Sequence, residues 1–183
     1  MRRKKLASML LVVGLVVWGC AGTSGSMLTA PKPPEGVSPP VITASFAADK
    51  GRYGDPIKVY LAAEDKSGAM EMIAVQVSQV GYGDYPSNWT YLKEGNRERF
   101  AGYLQWNTGS GEFMPEWTRM SIAVSVLDRW GNESHNVVFP YEFVSGASSS
   151  SVLPAPFDQA DVPRLGYVTV MLRNPIKSQR GGK

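Results

Sequence analysis

Met120-Ser121-Ile122-Ala123-Val124-Ser125-Val126 alternates apolar with small residues without a break, and Leu127-Asp128-Arg129-Trp130-Gly131-Asn132 follows it. Successive side chains of a strand point to opposite faces, so the run predicts a strand with Met120, Ile122, Val124 and Val126 turned toward a core. Working outward, Val137, Phe139, Tyr141 and Phe143 repeat the pattern downstream, and Phe100, Leu104 and Trp106 repeat it upstream. Ile73, Val75 and Val77 form another inward row, with Gln76 and Ser78 outward. Ile57, Val59, Leu61 and Ala63 line one face of an earlier strand, with Lys58, Tyr60 and Ala62 on the other. Residues 41–48 read as a first strand, and 81–96 as a long connection holding one short strand near 89–92. Gly54-Asp55-Pro56 and Asp65-Lys66-Ser67-Gly68 supply turns, since Asp accepts from nearby backbone N–H groups and Gly takes a positive φ. No helical stripe interrupts this rhythm, and about seven short strands between residues 41 and 144 predict a single all-β antiparallel sandwich.

Two stretches carry a resemblance. The run from Asp55-Pro56-Ile57 through Asp65-Lys66-Ser67-Gly68 followed by Ile73-Ala74-Val75-Gln76-Val77, and later Ile122 through Leu127 followed by Asp128-Arg129-Trp130-Gly131-Asn132-Glu133-Ser134, resemble bacterial immunoglobulin-like extracellular domains. In those domains the penultimate strand often ends in an Asp-x-x-Gly-Asn turn before a Ser-containing last strand. The resemblance implies an immunoglobulin-like fold for 41–144 alone, and such sandwiches serve as spacers, adhesins and binding modules alike.

Composition excludes several classes. The 183 residues include one Cys and one His, too few for a multi-ligand His/Cys zinc site or a disulfide framework. The formal charge of +3 arises at the N-terminus, where Arg2, Arg3, Lys4 and Lys5 lie together; without them 15 basic residues face 16 acidic ones. The basic pI is therefore no argument for nucleic acid.

Residues 2–5 are cationic, 6–17 are mostly apolar, and Val17-Trp18-Gly19-Cys20 follows. This is the order of a secretory signal, and its apolar run is shorter than the roughly 20 residues that span a bilayer. Its end resembles the lipobox of bacterial lipoproteins, in which a small residue precedes a Cys that is acylated; Trp18 departs from the usual small or aliphatic residue there. The resemblance implies a signal peptide over 1–19, a palmitate-type anchor at Cys20, and attachment to a membrane. Ala21 stands where an Asp would resemble an inner-membrane retention signal, so the outer membrane is the expected site. Residues 20–40 hold Gly and Ser and then Pro31, Pro33, Pro34, Pro39 and Pro40, a tether whose Pro half leans toward polyproline II.

Candidate sites lie at one end of the sandwich and on its connections. Asp65, Asp128 and Glu133, with an oxygen from Asn132, form a candidate calcium set, because Ca²⁺ takes six to eight hard oxygen ligands. The plainer reading makes Asp65 and Asp128 turn residues bonding their own backbone. Tyr82, Tyr85, Trp89 and Tyr91 crowd one connection, and Phe113, Met114 and Trp117 a second. Exposed rings of this kind suit a protein or glycan partner; the alternative is that they cover an edge of the sandwich. His135 has no nucleophile elbow or metal-spaced partner, and Glu112 and Glu116 share one short loop, so no catalytic residue is assigned. Residues 145–183 read as a Ser-rich linker followed by a basic tail in which Tyr167-Val168-Thr169-Val170-Met171 has strand character, able to join its own sandwich edge or another chain's. Arg164, Arg173, Lys177, Arg180 and Lys183 meet no acid there and would be drawn to anionic headgroups.

The expected function is a lipid-anchored envelope protein acting as a non-enzymatic binding or spacer module without a required cofactor. Two alternatives stand beside it: an envelope hydrolase or glycan-processing accessory, and a small lipoprotein subunit of an envelope complex.

Overall fold

A computed structural model of the chain describes residues 32–108, 117–146 and 152–174. The alternating runs become strands: β1 Val41–Ala47, β2 Lys50–Gly51, β3 Pro56–Glu64, β4 Met70–Gln79, β5 Gly83–Asp84, β6 Asn88–Tyr91, β7 Arg99–Asn107, β8 Arg119–Asp128, β9 Val137–Phe143 and β10 Arg164–Val168. One four-stranded sheet has the order β1-β3-β7-β10, and a six-stranded sheet runs β2-β9-β8-β4, with β5 and β6 both against the far side of β4. Thus β1, β3 and β7 share one sheet, while β4, β8 and β9 share the other. That exchange of strands between two packed sheets is the immunoglobulin-like arrangement.

The inward rows meet between the sheets. Leu61, Ile73, Val77, Val124 and Val126 are all fully buried, and Trp106 and Phe143 are the largest side chains among them. β3 and β7 pair in continuous antiparallel register from Pro56 with Asn107 to Glu64 with Arg99, and β4 pairs with β8 from Met72 with Leu127 to Gln79 with Met120, after a register shift that separates this run from the pair Met70 with Asp128. Period-two side chains make such registers specific, because a slip of one residue would turn every apolar side chain outward.

Three differences from the sequence expectation stand out. Among the described residues there are ten strands rather than about seven: β2 and β5 are two residues long, too short for alternation to register, and β10 comes from the C-terminal segment outside 41–144. The sandwich is not wholly antiparallel: β2 pairs parallel with β9, and β10 parallel with β7. Finally, residues 152–174 are not an appendage. The chain crosses the outer face of the four-stranded sheet, where Phe157 is fully buried against Tyr60 and Ala62, with Leu153 and Val162 alongside. It then enters β10 in the same direction as β7, and Val168, Val170 and Leu172 join the main core.

This strap requires a close approach. A Cβ on Gly102 of β7 would lie 2.6 Å from both the Pro163 carbonyl oxygen and Leu165 Cγ, so only glycine admits the strap there. The adjacent Tyr103 N–H donates to that same Pro163 carbonyl at 3.0 Å.

Candidate functional site

The two acidic turns do lie together, since Met70 pairs with Asp128 and the Arg129 N–H donates to the Ala69 carbonyl at 3.0 Å. Their carboxylates are engaged within each turn. Asp65 accepts from the Ser67 N–H at 2.8 Å, the Ser67 hydroxyl at 2.7 and 2.8 Å, and the Ala69 N–H at 3.1 Å. Asp128 accepts from the Trp130 N–H at 2.9 Å and from the Asn132 N–H and side-chain amide, both at 2.8 Å. Gly131, at φ 83°, supplies the left-handed step that lets the chain fold back over Asp128. Glu133 turns instead toward β8 and accepts from the Ser125 hydroxyl at 2.5 Å. Glu64 pairs with Arg99 at 3.4 Å on the surface.

The convergent oxygen set expected for calcium is therefore not assembled by Asp65, Asp128, Asn132 and Glu133. Among the described residues no group of three or more His, Cys, Asp or Glu is placed to hold a metal. The turn reading accounts for both buried aspartates: each satisfies backbone donors that would otherwise be orphaned. His135 is exposed and precedes β9, its carbonyl accepting from the Ser134 hydroxyl at 3.0 Å.

The four aromatics of the first connection divide into two pairs. Tyr82 stacks on Tyr85, with ring centroids 4.8 Å apart and planes 24° from parallel. Tyr85 is buried, and its phenol donates to Gln79 Oε1 while accepting from the Arg173 N–H at 2.8 Å. Gln79 closes the latch by donating from Nε2 to the Arg173 carbonyl at 2.8 Å. The strap is held again at Val170, whose carbonyl accepts from Trp106 Nε1 at 3.0 Å. Between the Tyr82–Tyr85 pair and the strap lies a cleft of about 300 Å³ bordered by Asn88, Thr169, Met171 and Arg173.

Trp89 and Tyr91 go elsewhere. They lie opposite Ala74 and Met72 on the outer side of the six-stranded sheet, while Thr90 between them turns inward. Both rings are open to solvent, at 49% and 70% exposure, on a face continued by Leu127, Ala123 and the exposed Val138. A second cleft, of about 610 Å³, opens on the four-stranded sheet between Ala62, Ala101 and Pro156, with Glu64 and Arg99 at its rim.

Sequence reading missed the strap's share of the smaller cleft. The strand-like run from Tyr167 to Met171 was the available signal, but its pairing with β7 depends on contacts more than 60 residues apart. Trp117, expected among the aromatics of the second connection, is exposed and has a positive φ of 62°. Cys20, Glu112, Phe113, Met114 and Glu116 lie outside the described residues, as do Lys177, Arg180 and Lys183.

No protein-family model and no curated protein matches the sequence. Among solved structures, the chain is similar to the PKD domain of an M14-like peptidase from a Thermoplasmatales archaeon, at 11% identity and a TM-score of 0.38, covering 60% of this chain and 99% of that one. It is also similar to the CARDB domain of a Pyrococcus furiosus protein in complex with di-metal ions, at 14% identity and a TM-score of 0.31, covering 58% of this chain and 94% of that one. The order of strands in the two sheets is what makes the fold immunoglobulin-like.

Proposed function

We propose that the chain is a non-enzymatic binding module of the bacterial envelope, lipid-anchored through Cys20 and held at the outer membrane. The observation that carries the binding role is the display of Tyr82, Trp89 and Tyr91 in solvent on a rigid β-sandwich. Burying such rings in a partner releases water from large apolar surfaces at small rotamer cost, which is why Tyr and Trp dominate recognition surfaces. The buried carboxylates Asp65 and Asp128 support this reading in a second way: both serve turns, which leaves neither poised as a general acid or base. The anchor is supported by the cationic, apolar and Gly19-Cys20 order at the N-terminus. Several acyl chains on one Cys hold stably at about 0.8 kcal/mol per buried methylene.

Growth with labelled palmitate tests the anchor. Label should enter the intact chain and vanish in Cys20→Ala, and equal labelling of the two would overturn it. Crosslinking in intact cells tests binding. Envelope adducts should form through the aromatic surfaces and fall when Trp89 and Tyr91 are replaced together with Tyr82; adducts unchanged by the triple replacement would overturn the role given to these rings.

A further inference from the structure

The cleft beside Tyr82 has a composition that specifies a ligand more narrowly than the bare sheet face does. Its wall is the Tyr82–Tyr85 stack, with Tyr82 at 44% exposure presenting the free ring. Its rim carries the exposed Arg173 side chain, and Asn88 and Thr169 add neutral polar groups. Arg173 is fixed by its backbone, since its N–H reaches the Tyr85 phenol and its carbonyl reaches Gln79. Its guanidinium has no carboxylate partner among the described residues, where Glu64 with Arg99 makes the ion pair.

We infer that this cleft binds a single sugar ring carrying one carboxylate. The inference rests on the binding-module reading and names a ligand class for it. A guanidinium is a planar fork that matches a carboxylate with two parallel hydrogen bonds. One such fork balances one negative charge; a phosphate dianion would be left half neutralised, with neither a helix N-terminus nor a second cation in the lining to complete it. The tyrosine face offers a flat apolar surface to the C–H side of a pyranose; the Asn88 amide N–H donates to the Thr169 carbonyl at 3.4 Å, which leaves Asn88 Oδ1 and the hydroxyl of the exposed Thr169 as partners for hydroxyl groups at its edge. The volume of about 300 Å³ lies at the small end of ligand pockets, which run from about 300 to 1,000 Å³. Because Thr169, Met171 and Arg173 come from the strap and Tyr82 and Asn88 from the β4–β6 region, the site exists only with the strap seated.

The test is titration of the detergent-solubilised full chain with glucuronic acid, glucose, acetate and a short peptide with a free C-terminus, followed by NMR. Glucuronic acid should bind at least tenfold more tightly than glucose. Arg173→Gln should abolish that preference, Arg173→Lys should retain part of it, and Tyr82→Ala should weaken both sugars at least fivefold. Each variant keeps the backbone latch, and circular dichroism checks its fold. Equal binding of glucose and glucuronic acid, a preference that survives Arg173→Gln, or acetate or the peptide binding as tightly as glucuronic acid would each overturn the assignment. Failure here, with envelope crosslinks still formed through Trp89 and Tyr91, would overturn the cleft alone and leave the binding-module reading standing.

Discussion

The two sheets of the sandwich present outer faces that began alike and ended differently. On the four-stranded sheet, Tyr60 and Ala62 of β3 are buried under Phe157 of the strap. On the six-stranded sheet, Ala74 of β4 and its neighbours Trp89 and Tyr91 of β6 carry no cover from the described chain, and both rings stay exposed. In sequence both rows are simply the off-face positions of an alternating strand. The difference is made by a segment nearly 100 residues beyond Tyr60, so the outer face of a strand acquires its character from what the rest of the chain lays across it. One face is thereby covered by the chain itself, and the other is left open to solvent.

The largest effect expected from breaking this asymmetry is at the cover. Phe157→Ala removes a fully buried ring and should cost about 3–5 kcal/mol, read as a drop in the denaturant midpoint. A loss below about 1 kcal/mol would mean that the strap contributes little and the two faces are equivalent. Gly102→Ala attacks the same cover from beneath, placing a methyl 2.6 Å from the Pro163 carbonyl. It should cost about 1–3 kcal/mol by overpacking and speed amide exchange at Tyr103, whose N–H bonds that carbonyl.

Alkaline pH offers a milder probe of what is covered. Burial, and after it the neighbouring Tyr103, pushes the Tyr60 phenol above its ordinary value. Burial, with Asp55 second, pushes Tyr141 up to about 12. The folded chain therefore keeps protons that the unfolded chain releases near pH 10, so their contribution is intact below pH 10 and lost as pH climbs toward 12. The thermal midpoint should fall across that window, and Tyr141→Phe should flatten the fall; an unchanged slope would show that burial at Tyr141 is not coupled to stability.

The smallest effect should come from the uncovered face. Trp89→Ala and Tyr91→Ala should each change stability by less than about 1 kcal/mol, since neither ring is packed in the core. A larger loss in denaturant unfolding would place them in the structural ledger alongside Phe157 and erase the contrast between the faces.

Much of the fold was legible because alternation is a local signal. Met120, Ile122, Val124 and Val126 face inward as their spacing requires, and the Asp128–Asn132 turn follows where its residues predict. The burial of Tyr60 was not legible, because nothing near it in sequence distinguishes it from a solvent-facing strand residue. The parallel entry of β10 was hidden for the same reason: direction is set by a crossover, not by the composition of the strand that arrives. At the candidate site, the tyrosines announced themselves as a cluster, yet their division did not. Tyr85 is buried through partners 6 and 88 positions away, Gln79 and Arg173, whereas Trp89 and Tyr91 follow the pleat of a short strand out to solvent.

The position of the strap in the chain also orders its own biogenesis. Residues 152–174 follow every other described strand in the chain, so a product stopped short of them carries an open β7 edge and a bare patch around Tyr60. Until the strap through Leu172 is seated, the unpaired strand edge and bare apolar surface are the features that invite association with other chains.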